Sequence, residues 1–164
     1  MTKIRISDKN YKTKLVKLVL ILMTSSFDFM TMGLVPNIPG IYREDLMKLA
    51  GREIEKPEID GVLLSHAHSD HADYISFLHE KIPIYMGKAC HLILRALEER
   101  SPRTIEREIL NFKPRPTNKK DSPVNRKIKT FGTGDKFKIG SLDIETYPCG
   151  SFSVWCIRIY YLQF

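Results

Sequence analysis

Apolar runs along the chain are short and are separated by polar breaks marked with glycine and proline. Val62-Leu63-Leu64 follows Asp60-Gly61 with no polar position between its apolar residues, the pattern of a strand buried on both faces. Ile82-Pro83-Ile84-Tyr85-Met86 reads as a second strand, its proline near the start, where a missing N–H is tolerable. Leu15 to Leu22 and Ser25 to Phe29 read as earlier strands, and Gly33 to Gly40 as a proline- and glycine-rich loop. Helical stretches are expected over Tyr42 to Ala50, with Gly51 in the left-handed position after it, over Ala72 to Glu80, and from Gly87 to about Arg100. Ser101-Pro102 has the form of an N-cap followed by proline at the first helical position, predicting a further helix to Leu110. Ile128 to Phe131, Lys136 to Ile139 and Leu142 to Tyr147 return to strand patterns, the last two joined by Gly140-Ser141 as a hairpin of type II′. Strands, then helices, then strands predict a mixed α/β (α+β) domain with helices packed outside a sheet.

Length and charge narrow the classes. A chain of 164 residues is long enough for one domain with a real core. Apolar residues at 43% and charged residues at 27% are ordinary for a soluble globular protein. The basic residues from Lys3 to Lys17 ahead of Leu18 to Met23 could form a secretory leader, but Thr24-Ser25-Ser26 ends the run early. No apolar stretch approaches the roughly 20 residues that span a bilayer, so no membrane association is expected. Three cysteines, Cys90, Cys149 and Cys156, form no paired motif and fit a reducing cytoplasm. The net charge of +7 suits an anionic partner such as RNA or DNA, although a basic surface alone is commonplace. The segment Asn111 to Lys129 concentrates that charge and reads as one exposed loop. Its Lys113, Arg115, Lys119, Lys120, Arg126 and Lys127 are candidate phosphate contacts, or else a solvated linker.

The chemistry-bearing pattern is Ser65-His66-Ala67-His68-Ser69-Asp70-His71, directly after the Val62 to Leu64 run. A strand end fixes the first residues, and the following turn and helix start aim the others. Neutral imidazoles and a carboxylate suit zinc, with bonds of about 2.0–2.2 Å. So short a segment serves one ion poorly, and a split is expected, His66 and His68 on one zinc and Asp70 and His71 on a second. Two ions roughly 3.5–4 Å apart can clamp a scissile group. His79 and His91 stand alone on expected helices and read as structural or exposed.

The segment G-V-L-L-S-H-A-H-S-D-H-A-D-Y-I-S-F-L resembles the metallo-β-lactamase superfamily. Upstream, G-L-V-P-N-I-P-G-I-Y-R-E-D-L is similar to a stretch in hydrolases akin to ribonuclease J. The resemblance covers residues 33–147. It implies an αββα sandwich, of which this chain, as a partial domain over residues 1–164, would be the N-terminal half. It also implies two zinc ions and hydrolysis of RNA or DNA phosphodiesters, with Asp70 holding the second metal and orienting or deprotonating the attacking water. Hydrolysis of a small ester or lactam shares the motif. A non-catalytic metal-binding remnant is the reading from a different class.

That family carries a further histidine, a bridging aspartate and a final histidine beyond the first cluster. Residues 148–164 contain no histidine and read as an aberrant tail. Codons can be chosen for Cys149 onward that, read one base later, give V-D-H-S-V-S-G-V-Y-G-F-I-I-Y-S. Trp155 before Cys156 forces the first glycine after the histidine in that frame. The expectation is a frameshift near Pro148, a truncated site with weakened zinc binding and no appreciable activity, and a first sheet left with one uncovered apolar face.

Overall fold

The computed structural model describes residues 38–102, 104–115, 122–148 and 157–161. The strands expected over Leu15 to Leu22 and Ser25 to Phe29 lie outside them, as do Cys149, Cys156, Lys119 and Lys120. The described chain begins with helix α1 (Glu44–Leu49) and strand β1 (Val62–Leu64). A single turn, α2 (Ser69–Ala72), runs into a 3-10 turn at Asp73–Phe77. Strand β2 (Ile84–Gly87) and helix α3 (Lys88–Arg100) follow. After a second 3-10 turn at Ile105–Arg107 come β3 (Asn111–Phe112), β4 (Val124–Asn125), β5 (Ile128–Phe131), β6 (Lys136–Ile139), β7 (Leu142–Pro148) and β8 (Ile157–Tyr161).

Strands β1, β2 and β5 form a parallel sheet in that order, with Leu63 opposite Tyr85 and Tyr85 opposite Lys129. The period of two sends their side chains to opposite faces. Val62, Leu64, Ile84 and Met86 pack with Ile75, Leu78, Cys90 and Leu94 from the turn and α3. Leu63, Tyr85 and Phe131 point the other way and pack against Ile139 and Ile144 of the β6–β7 hairpin. The Phe137 ring stacks on Tyr85 at 5.3 Å and on Phe131 at 5.2 Å between centroids. Helices, parallel sheet and antiparallel sheet are therefore three successive layers, and the fold is a mixed α/β arrangement.

The hairpin overturns the expectation of an uncovered apolar face: the chain supplies that second layer itself. The outward positions of the hairpin are charged, with Lys136 paired to Glu145 at 3.0 Å and Lys138 to Asp143 at 3.2 Å. Such cross-strand pairs are what a face turned to water carries. Strand β8 pairs antiparallel with β7, Tyr147 opposite Arg158, so part of the tail extends this sheet.

Two expected helices take other forms, for tertiary reasons. Over Ala72 to Glu80 the helix starts earlier, at Ser69, and tightens to a 3-10 turn that ends at Phe77. The backbone groups a longer helix would need are bonded elsewhere: Phe77 O accepts from Arg43 N and His79 N donates to Ile41 O. Among the described residues of 101–110 the helical structure is the Ile105–Arg107 turn. There the N–H groups of Leu110 and Asn111 donate to the Glu98 carboxylate, at 3.3 and 3.1 Å, which pulls the chain into the extended β3. The expected single loop over Asn111 to Lys129 is also corrected, since it contributes β3, β4 and the start of β5 and buries Phe112 and Arg126. Among the described residues no helix is long and apolar enough to cross a membrane.

Candidate metal centre

The three strands of the parallel sheet end on one edge, and the residues after each strand lie along it. His66 to His71 follow β1, Lys88 follows β2, and Gly132 to Asp135 follow β5. The carboxyl edge of a parallel sheet is where α/β folds place their ligands. The turn after β1 is closed by His68, whose carbonyl accepts from His71 N at 3.0 Å and Ala72 N at 2.9 Å. Ala67 and Ala72 are buried, which anchors the loop while leaving the polar residues between them outward.

This backbone path gathers all three imidazoles. The His66 ring centroid lies 4.6 Å from that of His68 and 4.1 Å from that of His71. Asp70 Oδ2 stands 3.4 Å from His71 Nε2. His66 and His71 are partly buried, whereas His68 and Asp70 are exposed. Ser65 Oγ is 2.9 Å from His66 Nδ1. With Nδ1 donating to that hydroxyl, Nε2 presents its lone pair, the arrangement by which metal-ligating histidines are usually held. Burial, followed by repulsion from His71 and His68, lowers the His66 pKa and outweighs the opposing pull of Asp70. A neutral ring is the form that binds metal.

His71 Nδ1 is buried without a hydrogen-bond partner among the described residues. An orphaned buried nitrogen is costly unless something satisfies it. A metal ion would do so, and the donor set of three imidazoles and a carboxylate is chemically a zinc set. Among the described residues these four side chains do not bring three ligand atoms within 4.8 Å of one another, so side-chain rotation separates this arrangement from one that holds an ion.

A second group brings three donor atoms within 4.8 Å of one another: Glu44, His79 and Glu80. Its chemistry argues for an ion-pair cluster. His79 Nδ1 lies 3.1 Å from Lys81 N, which donates to it, and Nε2 faces Glu44 Oε1 at 3.5 Å. Lys81 Nζ, 3.7 Å from the same Glu44 oxygen, already supplies a cation. Both imidazole nitrogens therefore already have polar neighbours, Nδ1 also lying 3.4 Å from Glu80 Oε2, and a metal ion would have to displace them.

The candidate phosphate contacts divide. Lys113 and Lys127 are exposed. Arg115 is committed to Glu108, with Nη2 2.6 Å from Oε1. Arg126 is only 5% exposed and donates to Leu78 O at 2.6 Å and Ser76 O at 2.8 Å, so it is removed as a surface contact. Burial and the neighbouring Arg43 push its pKa down to about 9, which leaves it charged at neutral pH. Sequence reasoning also missed Arg43, Asp45 and Glu108, which form a part-buried ion-pair network with Arg115. No sequence signal distinguishes these residues from ordinary surface charges.

No protein-family description matches the chain, and no curated protein matches it. Among solved structures, the chain is similar to a protein of unknown function from Enterococcus faecalis, with a TM-score of 0.51 and 23% identity. The match covers 77% of this chain and 28% of that one, so this chain spans little more than a quarter of the length of the structure it resembles. At that identity the likeness concerns the fold alone.

Proposed function

We propose that the chain is part of a zinc-dependent hydrolase of the metallo-β-lactamase type, acting on RNA or DNA phosphodiesters. His66 and His68 would hold one zinc and Asp70 and His71 a second. The observation that carries this reading is the gathering of three imidazoles beside Asp70, with a buried His71 Nδ1 that has no partner among the described residues, at the carboxyl edge of a parallel sheet. The layering of helices, parallel sheet and antiparallel sheet supports the N-terminal half of an αββα sandwich. When bound, zinc would supply Lewis-acid activation of water near neutral pH. The protein's own part is to keep His66 neutral, to brace it on Ser65, and to hold Asp70 beside His71, where its carboxylate can orient the attacking water.

Four side chains shared between two ions fall short of the three protein ligands that a catalytic zinc usually takes. This favours metal binding without appreciable turnover for the chain alone, and hydrolysis as a property of a longer protein. The substrate class rests on the net charge and on the exposed Lys113 and Lys127. Fluorescence anisotropy with a single-stranded RNA tests it. Zinc should strengthen RNA binding, and Asp70→Ala with His71→Ala should remove that gain. RNA affinity indifferent to zinc would contradict a phosphodiester substrate.

A further inference from the structure

We propose that Arg43 and Arg126 are positioning residues for the histidine site, acting through the turn that follows it. The inference rests on the metal-site reading above. Asp70 and His71 sit on a single helical turn, and neither that turn nor the 3-10 turn after it has a side-chain cap at its start. One-turn helices have little stability of their own. The ligand-bearing segment is therefore defined by its two anchors. On one side is β1, held by its pairing with β2. On the other is the stretch Ser76 to Leu78.

Two guanidinium groups hold that far anchor. Arg43 Nη1 donates to Ser76 O at 3.2 Å, and Arg126 Nη2 donates to the same carbonyl at 2.8 Å. Arg126 Nη1 donates to Leu78 O at 2.6 Å. The two cations share one acceptor in the interior, an arrangement that needs compensation. Both guanidinium groups lie over the Phe112 ring, its centroid 4.2 Å from Arg43 Cζ and 4.9 Å from Arg126 Cζ. Asp45 and Glu108 neutralise the Arg43 side, at 2.6 and 3.0 Å. Arg126 has no such contact with a carboxylate, and its Nε lacks a hydrogen-bond partner among the described residues.

Arg126 satisfies two buried main-chain carbonyls with donors that an apolar side chain would lack. Its distinctive effect is directional. The planar fork fixes where Ser76 and Leu78 lie relative to β3 and β4, and hence where the preceding turn aims Asp70 and His71. Groups that bond a metal ligand directly change metal affinity by about 10- to 100-fold when removed, and the lower end of that range is expected for groups that act through the turn.

The test uses the full chain and cobalt(II), whose visible spectrum reports ligand geometry. Arg126→Lys keeps the charge but loses the fork, and Arg126→Met keeps the volume. Leu94→Ala, in the core beneath α3, serves as a control for lost stability. Circular dichroism selects conditions in which every variant is folded. Both Arg126 variants should bind cobalt about tenfold more weakly and with an altered spectrum, while Leu94→Ala retains wild-type affinity and spectrum. Unchanged affinity and spectrum in the Arg126 variants would overturn the positioning role, as would equal loss in Leu94→Ala. Failure of the metal reading is separate: the wild-type chain would then bind no cobalt, or would bind it unchanged after His66→Ala and His68→Ala.

Discussion

Arg43 emerges from the chain as the residue before a short helix, yet it is fully buried and bonds across long sequence separations. Its partners carry a pH signature. Burial acts to raise the carboxyl of Asp45, but bonds from Arg43, and from the N–H groups of Arg115 and Leu46, outweigh it and hold the pKa below the ordinary value. Glu108 is likewise opposed by burial and lowered by Arg115 and Arg43. A carboxyl with a depressed folded pKa adds stability that is complete above its unfolded pKa, about 4, and is lost as pH falls through the folded value. Urea denaturation between neutral and acid pH should show that loss, and Glu108→Gln should flatten the acid limb while lowering stability at neutral pH. An acid limb as steep in the variant as in the wild type would place the sensitivity elsewhere. At this scale the sequence displayed the histidine cluster and hid the arginines. Six residues of H-x-H-x-D-H after an apolar strand carry their own spacing. Arg126 looked like its basic neighbours, because its acceptors are the main-chain carbonyls of residues about 50 positions away.

Among the elements, those defined by local pattern were legible and those decided by distant partners were not. The apolar runs of β1 and β2 and the alternation of β6 and β7 survive into the fold because the side chains that make the pattern are those that pack the two cores. Gly51 also takes the expected left-handed conformation after α1, at φ 62°. The helix expected after Ser101 failed because Glu98 captures the amides of Leu110 and Asn111, an effect no propensity encodes. Gly140 is the hairpin position where sequence and structure agree most closely. Its φ is 57°, and an added Cβ would meet the Asp60 carboxylate. Gly140→Ala combines left-handed strain with that clash and should destabilise by roughly 1–3 kcal/mol, read as a lower urea midpoint. Because this hairpin covers Leu63, Tyr85 and Phe131, the variant should also bind more of a dye that reports exposed apolar surface. A midpoint equal to wild type would show that the turn relaxes without cost.

For the whole molecule, the net charge of +7 and the carboxyl-edge cluster make one joint expectation about nucleic acid. Replacing Lys113, Lys119, Lys120 and Lys127 by alanine should weaken RNA binding and flatten its dependence on salt. The logarithmic slope should fall by up to about 0.7 for each phosphate no longer neutralised. Arg126 is left out of that set because it is buried. An unchanged slope would return the segment to the role of a solvated connection. The layering was partly legible as an α/β mixture, but the self-supplied second sheet was not, since pairing the hairpin with the face of Leu63 and Tyr85 is a long-range choice. A calorimetric zinc titration of the full chain tests most directly whether the histidine cluster is a metal site. Saturable binding that is lost in the His66→Ala, His68→Ala double variant and weakened in His71→Ala is the predicted result. Zinc binding of equal strength in wild type and double variant, or none in either, would contradict it.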